Sequence, residues 1–285
     1  MIFLLLSIVS SALIFIIFKW LGRLRVSTFL VIVINYLVAG FIGVMITGID
    51  VILSSIHETW FKGVVSLGAI FPAMFYLMAV TTHKVGAATA SVTNKMSVVI
   101  PVTAAFFLYH DDPGFLKFIG IALALLGIFL ASIKQSKLVF GVNALLLLLL
   151  FIGSGSIDVI IKYLQDTYLE NDQVLAFTTV LFLAAAGSGL LIVLLRTRKY
   201  IQEVQSIKIS IGLLLGTINF GSIYFLVMAL QHTGMQSSVL FPVNNIGVVV
   251  LSTILSVIIF REQLSKKNYL GISLSIVALL VLMWA

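Results

Sequence analysis

The chain has 285 residues, 61% of them hydrophobic and 9% charged, with a formal net charge of +7 and no cysteine. A soluble domain carries roughly a quarter of its residues charged, so a cytosolic enzyme, a disordered chain and a disulfide-stapled secreted domain are all excluded. A bilayer crossing takes about 20 mostly apolar residues. Ten crossings therefore fit this length, with roughly eight residues left for each connection.

Apolar runs and the polar breaks between them place ten helices. The first five cover residues 2–18, 27–47, 64–80, 86–109 and 115–133. The second five cover 139–163, 174–195, 209–230, 237–260 and 268–284. None of these runs alternates as the roughly ten-residue strands of a membrane β-barrel would. The first run has no basic segment ahead of it and is followed by Lys19, Arg23 and Arg25, so it reads as a retained helix and not a cleaved signal peptide. The expected fold class is an all-α integral membrane protein of ten transmembrane helices.

The third run contains Pro72 and Tyr76, and the fourth reads SVTNKMSVVIP from Ser91 to Pro101. Lys95 stands near the middle of that fourth run, where an ionised side chain costs about 2.5–3.5 kcal/mol even on the lenient insertion scale. It needs a polar cavity or an acidic partner, and Asn94 beside it adds an amide. An attraction site for a carboxylate-bearing substrate and a structural ion pair both satisfy that need. The sixth run places Ser154, Asp158 and Lys162 four residues apart, hence on one helix face, with the acid ahead of the base as favoured. Asp158 either lines a cavity or neutralises Lys95 or Lys162. Asn219 and Tyr224 in the eighth run and Asn244 and Asn245 in the ninth complete the candidate binding residues; interhelical hydrogen bonding is the alternative for each. Pro72, Pro101 and Pro242 lie inside the third, fourth and ninth runs, where a missing N–H allows a hinge. GSGS at 153–156, AAAGSG at 184–189, and the Gly120/Ala124 and Gly271/Ser275 pairs read as close-packing surfaces.

The two halves repeat. Shifted by 148 positions, Gly68, Tyr76 and Gly86 fall on Gly216, Tyr224 and Gly234, and Asn244 and Asn245 fall on Met96 and Ser97 beside Lys95. At a shift of 151, Asp111 falls on Glu262 and Gly120 on Gly271. Units of 1–134 and 135–285 follow. Five crossings being odd, the second unit enters the membrane upside down, giving two inverted five-helix repeats suited to alternating access around a central site.

Two segments carry a family resemblance. FREQLSKKNYLGISLSIVALLVLM from Phe260 is similar to a Phe-x-Glu-x-Leu-(Ser/Thr)…Gly pattern, and YHDDPGFLKFIGIALALLGIFL from Tyr109 is its degraded counterpart. With the ten-helix architecture, these make the chain resemble the drug/metabolite transporter superfamily, of the kind built from two EamA-type repeats. Ser10-Ser11-Ala12 departs from the Trp-Gly often found in the family's first helix. The resemblance implies a cavity lined by helices 1, 3, 4, 6, 8 and 9, with 5 and 10 peripheral.

The expected function is a secondary transporter of small polar or amphipathic metabolites bearing a carboxylate, such as amino acids or organic acids, and not an enzyme. The alternative is a membrane-embedded enzyme acting on lipid or isoprenoid, for which Asp111-Asp112 is the one acidic doublet. Without HxxxH, HExxH or Walker spacing, neither a metal nor any other cofactor is expected. The expected partners are a small-molecule substrate and the lipid bilayer; no nucleic acid is expected, and a homodimer is left open. The expected location is a bacterial cytoplasmic (inner) membrane, crossed many times. Lys and Arg concentrate in the odd-numbered connections, which the positive-inside rule assigns to the cytoplasm, with both termini outside.

Overall fold

The computed structural model describes residues 1–24, 28–108, 114–131, 142–170, 173–195, 206–232 and 237–284. The described residues form helices, turns and short connections, with no strand among them. The first part of the chain folds as α1 (Ile2–Leu24), α2 (Thr28–Thr47), α3 (Ile49–Ser54) running into a 3-10 turn at Ser55–His57, and α4 (Phe61–Val85). Next come α5 (Ala87–Met96), α6 (Val99–Leu108) and α7 (Phe115–Ala131). The remainder is α8 (Val142–Tyr168), α9 (Val174–Leu195), α10 (Ser206–His232), α11 (Ser237–Phe260) and α12 (Lys266–Trp284).

Among the described residues, seven helices are long and apolar enough to cross a membrane: α1, α2, α4, α8, α9, α10 and α11. α7 is apolar but has 17 residues. Each of the ten runs read from the sequence is helical where described. The fourth is the exception to a one-to-one match, because residues 86–109 are not one helix but α5 and α6, of ten residues each. The Asp111-Asp112 doublet and the boundary at 134–135 lie outside the described residues.

Apolar side chains point outward as well as inward: Phe41, Met45, Leu126, Phe129, Leu191 and Ile258 are all exposed. Water would oppose that arrangement, whereas lipid favours it, and the chain is an integral, multi-pass membrane protein. With lipid on the outside, helix association relies on close packing more than on burial. α7 and α12 meet through small residues as the glycine spacing suggests: a Cβ on Gly127 would stand 3.0 Å from the Gly271 carbonyl oxygen. The Asn268 amide secures the same pair by donating to Ala131 O at 2.8 Å.

The two halves pack reciprocally. α1 lies against α10 and α11, and α8, its counterpart, lies against α4, α5 and α6. α2 packs on α9 and α10, and α9 packs on α2 and α4. At the core, the fully buried Tyr36 ring meets those of both Phe75 and Phe182. The bundle has two distinct ends. At one, Arg23 Nη2 donates to Phe260 O (3.1 Å). At the other, Trp60 Nε1 donates to Gln173 Oε1 (3.1 Å).

Candidate functional site

α5 is short, small-sided and enclosed. Its sequence AATASVTNKM buries Ala87 through Thr93 and Met96, and it touches α1, α4, α7, α8, α11 and α12. Alanine, serine and threonine let that many neighbours approach its backbone. The threonine and serine hydroxyls are satisfied locally or across helices: Thr93 Oγ1 donates to Thr89 O, and Ser252 Oγ of α11 donates to Ser91 Oγ at 2.7 Å.

The helix ends at Ser97 because of Pro101. Proline has no N–H, so Ser97 O has no donor four residues on; Ile100 N takes its place at 2.9 Å, three residues on. Ser97 Oγ turns back to Asn94 O at 2.5 Å, satisfying a carbonyl at the helix end. α8 is pressed into this break. A Cβ on Gly155 would stand 2.8 Å from Ser97 O, so the glycine is what allows the approach. By contrast, α4 and α11 run through Pro72 and Pro242 without interruption.

Lys95 lies in the last turn of α5, directly before the break, and is half-buried. A helix C-terminus carries partial negative charge that favours a cation by about 0.3–1 kcal/mol. That offsets only part of the cost of placing an ammonium in a membrane span. The opposite charge on the facing helix α8 is Asp158. No direct ion pair joins the two among the described residues, leaving space between opposite charges. Asn94 Nδ2 donates to Ser154 Oγ at 2.8 Å, one turn from Asp158, and holds the two helices in register. Lys162 follows one turn later on the same face and is exposed, as is Asp158.

The structure thus brings together Asn94, Lys95 and Asp158, with Ser154 between them. Other candidates have different surroundings. The Asn219 amide on α10 lies 3.2 Å from the side-chain amide of Asn35 on α2, which, suitably turned, also donates to Leu215 O (3.2 Å). Tyr76 is exposed and meets Phe29 edge-on at 6.1 Å. Tyr224 stacks on Phe220 with ring centres 5.7 Å apart. Asn245 is half-buried. Asn244 is 3% exposed, and its Oδ1 has no partner among the described residues.

A further cluster was not apparent from the residues' spacing. Glu262 Oε1 accepts a hydrogen bond from Ala87 N (3.2 Å) and lies 3.3 Å from Lys19 Nζ. The one sequence signal for it is the Phe260-x-Glu262 pattern, which says nothing about its partners 175 and 243 positions away.

The comparisons agree with this architecture. The EamA-like transporter family model matches residues 1–133 and again 142–284. An uncharacterized protein of Haemophilus influenzae is 30% identical over 220 residues, spanning 76% of this chain and 73% of its own. A solved structure titled "Crystal structure of protein" superposes with a TM-score of 0.63 at 14% identity, over 98% of this chain and 94% of that one.

Proposed function

The chain belongs to the EamA-like transporter family, and from that premise we propose that it is a secondary transporter of small, carboxylate-bearing polar or amphipathic metabolites. Its ten runs cross the membrane as two inverted five-helix repeats, 1–134 and 135–285, and expose a shared site to each side in turn. The reciprocal packing of the halves supports this reading. So does the placing of chain ends, since α1 finishes at the Phe260 end of the bundle whereas α8 runs toward Gln173 at the opposite end. The expected setting is a bacterial cytoplasmic membrane.

The observation that carries the proposal is Lys95 at the α5–α6 break. Broken helices in the middle of a membrane leave backbone groups and helix ends free for a ligand, and transporters commonly bind there. Here an ammonium, an amide and a carboxylate gather around such a break from two helices. The substrate's carboxylate meets Lys95, and Asn94 and Ser154 offer hydrogen bonds to its uncharged part. Uptake into liposomes from a mixed metabolite panel tests this. Wild type accumulates an anionic or zwitterionic compound, Lys95→Ala does not, and Lys95→Arg keeps a reduced share because its planar head differs in geometry. Undiminished uptake by folded Lys95→Ala would overturn the site assignment.

A further inference from the structure

We propose that Glu262 is a latch that holds one end of the transport pathway shut, an inference that rests on the transporter reading above. Its position follows from two backbone features. Gly86, between α4 and α5, has φ +106 and ψ 158 and caps α5 without a side chain. The Ala87 N–H is therefore left without a local acceptor, as the first N–H groups of any helix are. Glu262 supplies the acceptor from the other half of the chain, and its charge suits the partly positive start of the helix. Arg261, the residue before it, has φ +51, a conformation side chains seldom adopt, and this turns the chain at the end of α11. A Cβ on Gly86 would collide with the Glu262 carboxylate, so glycine there provides both the backbone conformation and the room.

The same carboxylate reaches a third helix through Lys19 of α1, with both side chains largely buried at 17% and 16% exposure. One turn on, Arg23 donates to Phe260 O and lies 4.6 Å over the Phe260 ring. The His83 ring fills the space beside Gly22. Between this cluster and Lys95, the fully buried Ala90 and the Ser252–Ser91 bond close α5 against its neighbours. The first half contributes α1 and α5, the second contributes the end of α11. For α1 and α5 to part from the end of α11, these contacts must break.

The latch is strong without being permanent. Hydrogen bonds to a charged group exceed neutral ones in strength. Yet Glu262 Oε2 is buried with no partner among the described residues. Opening returns water to that oxygen, which offsets part of what the broken bonds lose. An element balanced in this way has two accessible arrangements, as an alternating gate requires.

The chain's lack of cysteine allows a direct test. With Ala90→Cys as the single thiol, labelling by a membrane-impermeant maleimide is timed from each side of oriented vesicles, without substrate. Adding Glu262→Gln, or separately Lys19→Met, should raise labelling roughly tenfold or more from the Lys19 side alone, the scale of losing one charge-assisted contact. Unchanged labelling in both variants, or an equal rise from both sides, overturns the latch. Labelling that rises as expected in a chain that moves no compound of the panel leaves the latch standing and removes the transport reading instead.

Discussion

Gly68 and Gly216, 148 positions apart, each lie against the backbone of the opposite half. A Cβ on Gly68 would stand 2.7 Å from Leu181 O of α9, and one on Gly216 would stand 2.6 Å from Asn35 O of α2. Both distances are shorter than carbon–oxygen contact permits, and both obstacles are backbone, which cannot rotate away. Gly68→Ala and Gly216→Ala should therefore each lower stability by about 1–3 kcal/mol, the usual cost of overpacking. Thermal unfolding in detergent should show similar losses for the two. A clear loss for one and none for the other would contradict their equivalence.

Pro101→Ala restores an N–H opposite Ser97 O and should extend α5 into α6 through the turn that Gly155 faces. Transport per folded molecule should fall at least severalfold while folded yield stays near wild type. Pro242→Ala should change less, because α11 is already continuous through that position. Equal uptake by Pro101→Ala and wild type would detach the break from the transport cycle.

The ends of the bundle make a prediction about orientation. Lys19, Arg23, Lys84, Arg261, Lys266 and Lys267 border the Glu262 end, whereas Asp50, Glu58 and Glu170 stand with Lys62 at the Trp60–Gln173 end. The positive-inside rule puts the first end in the cytoplasm. Both described chain ends, at Met1 and Trp284, belong to the opposite end of α1 and α12. A reporter fused after the last residue that is active only outside the cytoplasm should then be active. Activity solely from a cytoplasm-dependent reporter would reverse the orientation.

The helical membrane class and the two-fold repeat were legible because both are local or periodic properties: an apolar run shows itself in about 20 residues, and Gly68 with Gly216 shows itself by offset. The polar stripe at Ser154, Asp158 and Lys162 was legible for the same reason. The break was not, since Pro72, Pro101 and Pro242 look alike in sequence and only Pro101 coincides with a glycine of α8 packed against the turn. The tyrosine pair shows the limit of repeat arithmetic. Tyr76 and Tyr224 are equivalent by offset, yet one meets Phe29 and the other Phe220: the counterpart of Phe220 is Pro72, and Phe177, the counterpart of Phe29, meets Trp60 instead. Glu262 needed tertiary structure altogether, as its three-way contact joins segments from α1, α5 and the end of α11.

An anion site and a structural charge pair at Lys95 and Asp158 differ in what removing both charges does. Removing one of two opposite charges placed on membrane helices leaves the other uncompensated, so Lys95→Met alone and Asp158→Asn alone should both reduce folded yield. Removing both leaves no charge to compensate, and the double variant Lys95→Met/Asp158→Asn should fold better than either single one. A double-mutant cycle on thermal stability should accordingly show coupling of about 0.5–3 kcal/mol, the range for interacting neighbours. Uptake decides the rest. If the pair serves only to hold α5 against α8, the double variant recovers transport along with stability. If Lys95 binds the substrate's carboxylate, stability returns and uptake of anionic or zwitterionic compounds stays below about a tenth of wild type, the loss of one charged contact. The second outcome is expected, because Lys95 and Asp158 form no direct ion pair among the described residues. Full recovery of uptake by the double variant would reassign both residues to the scaffold.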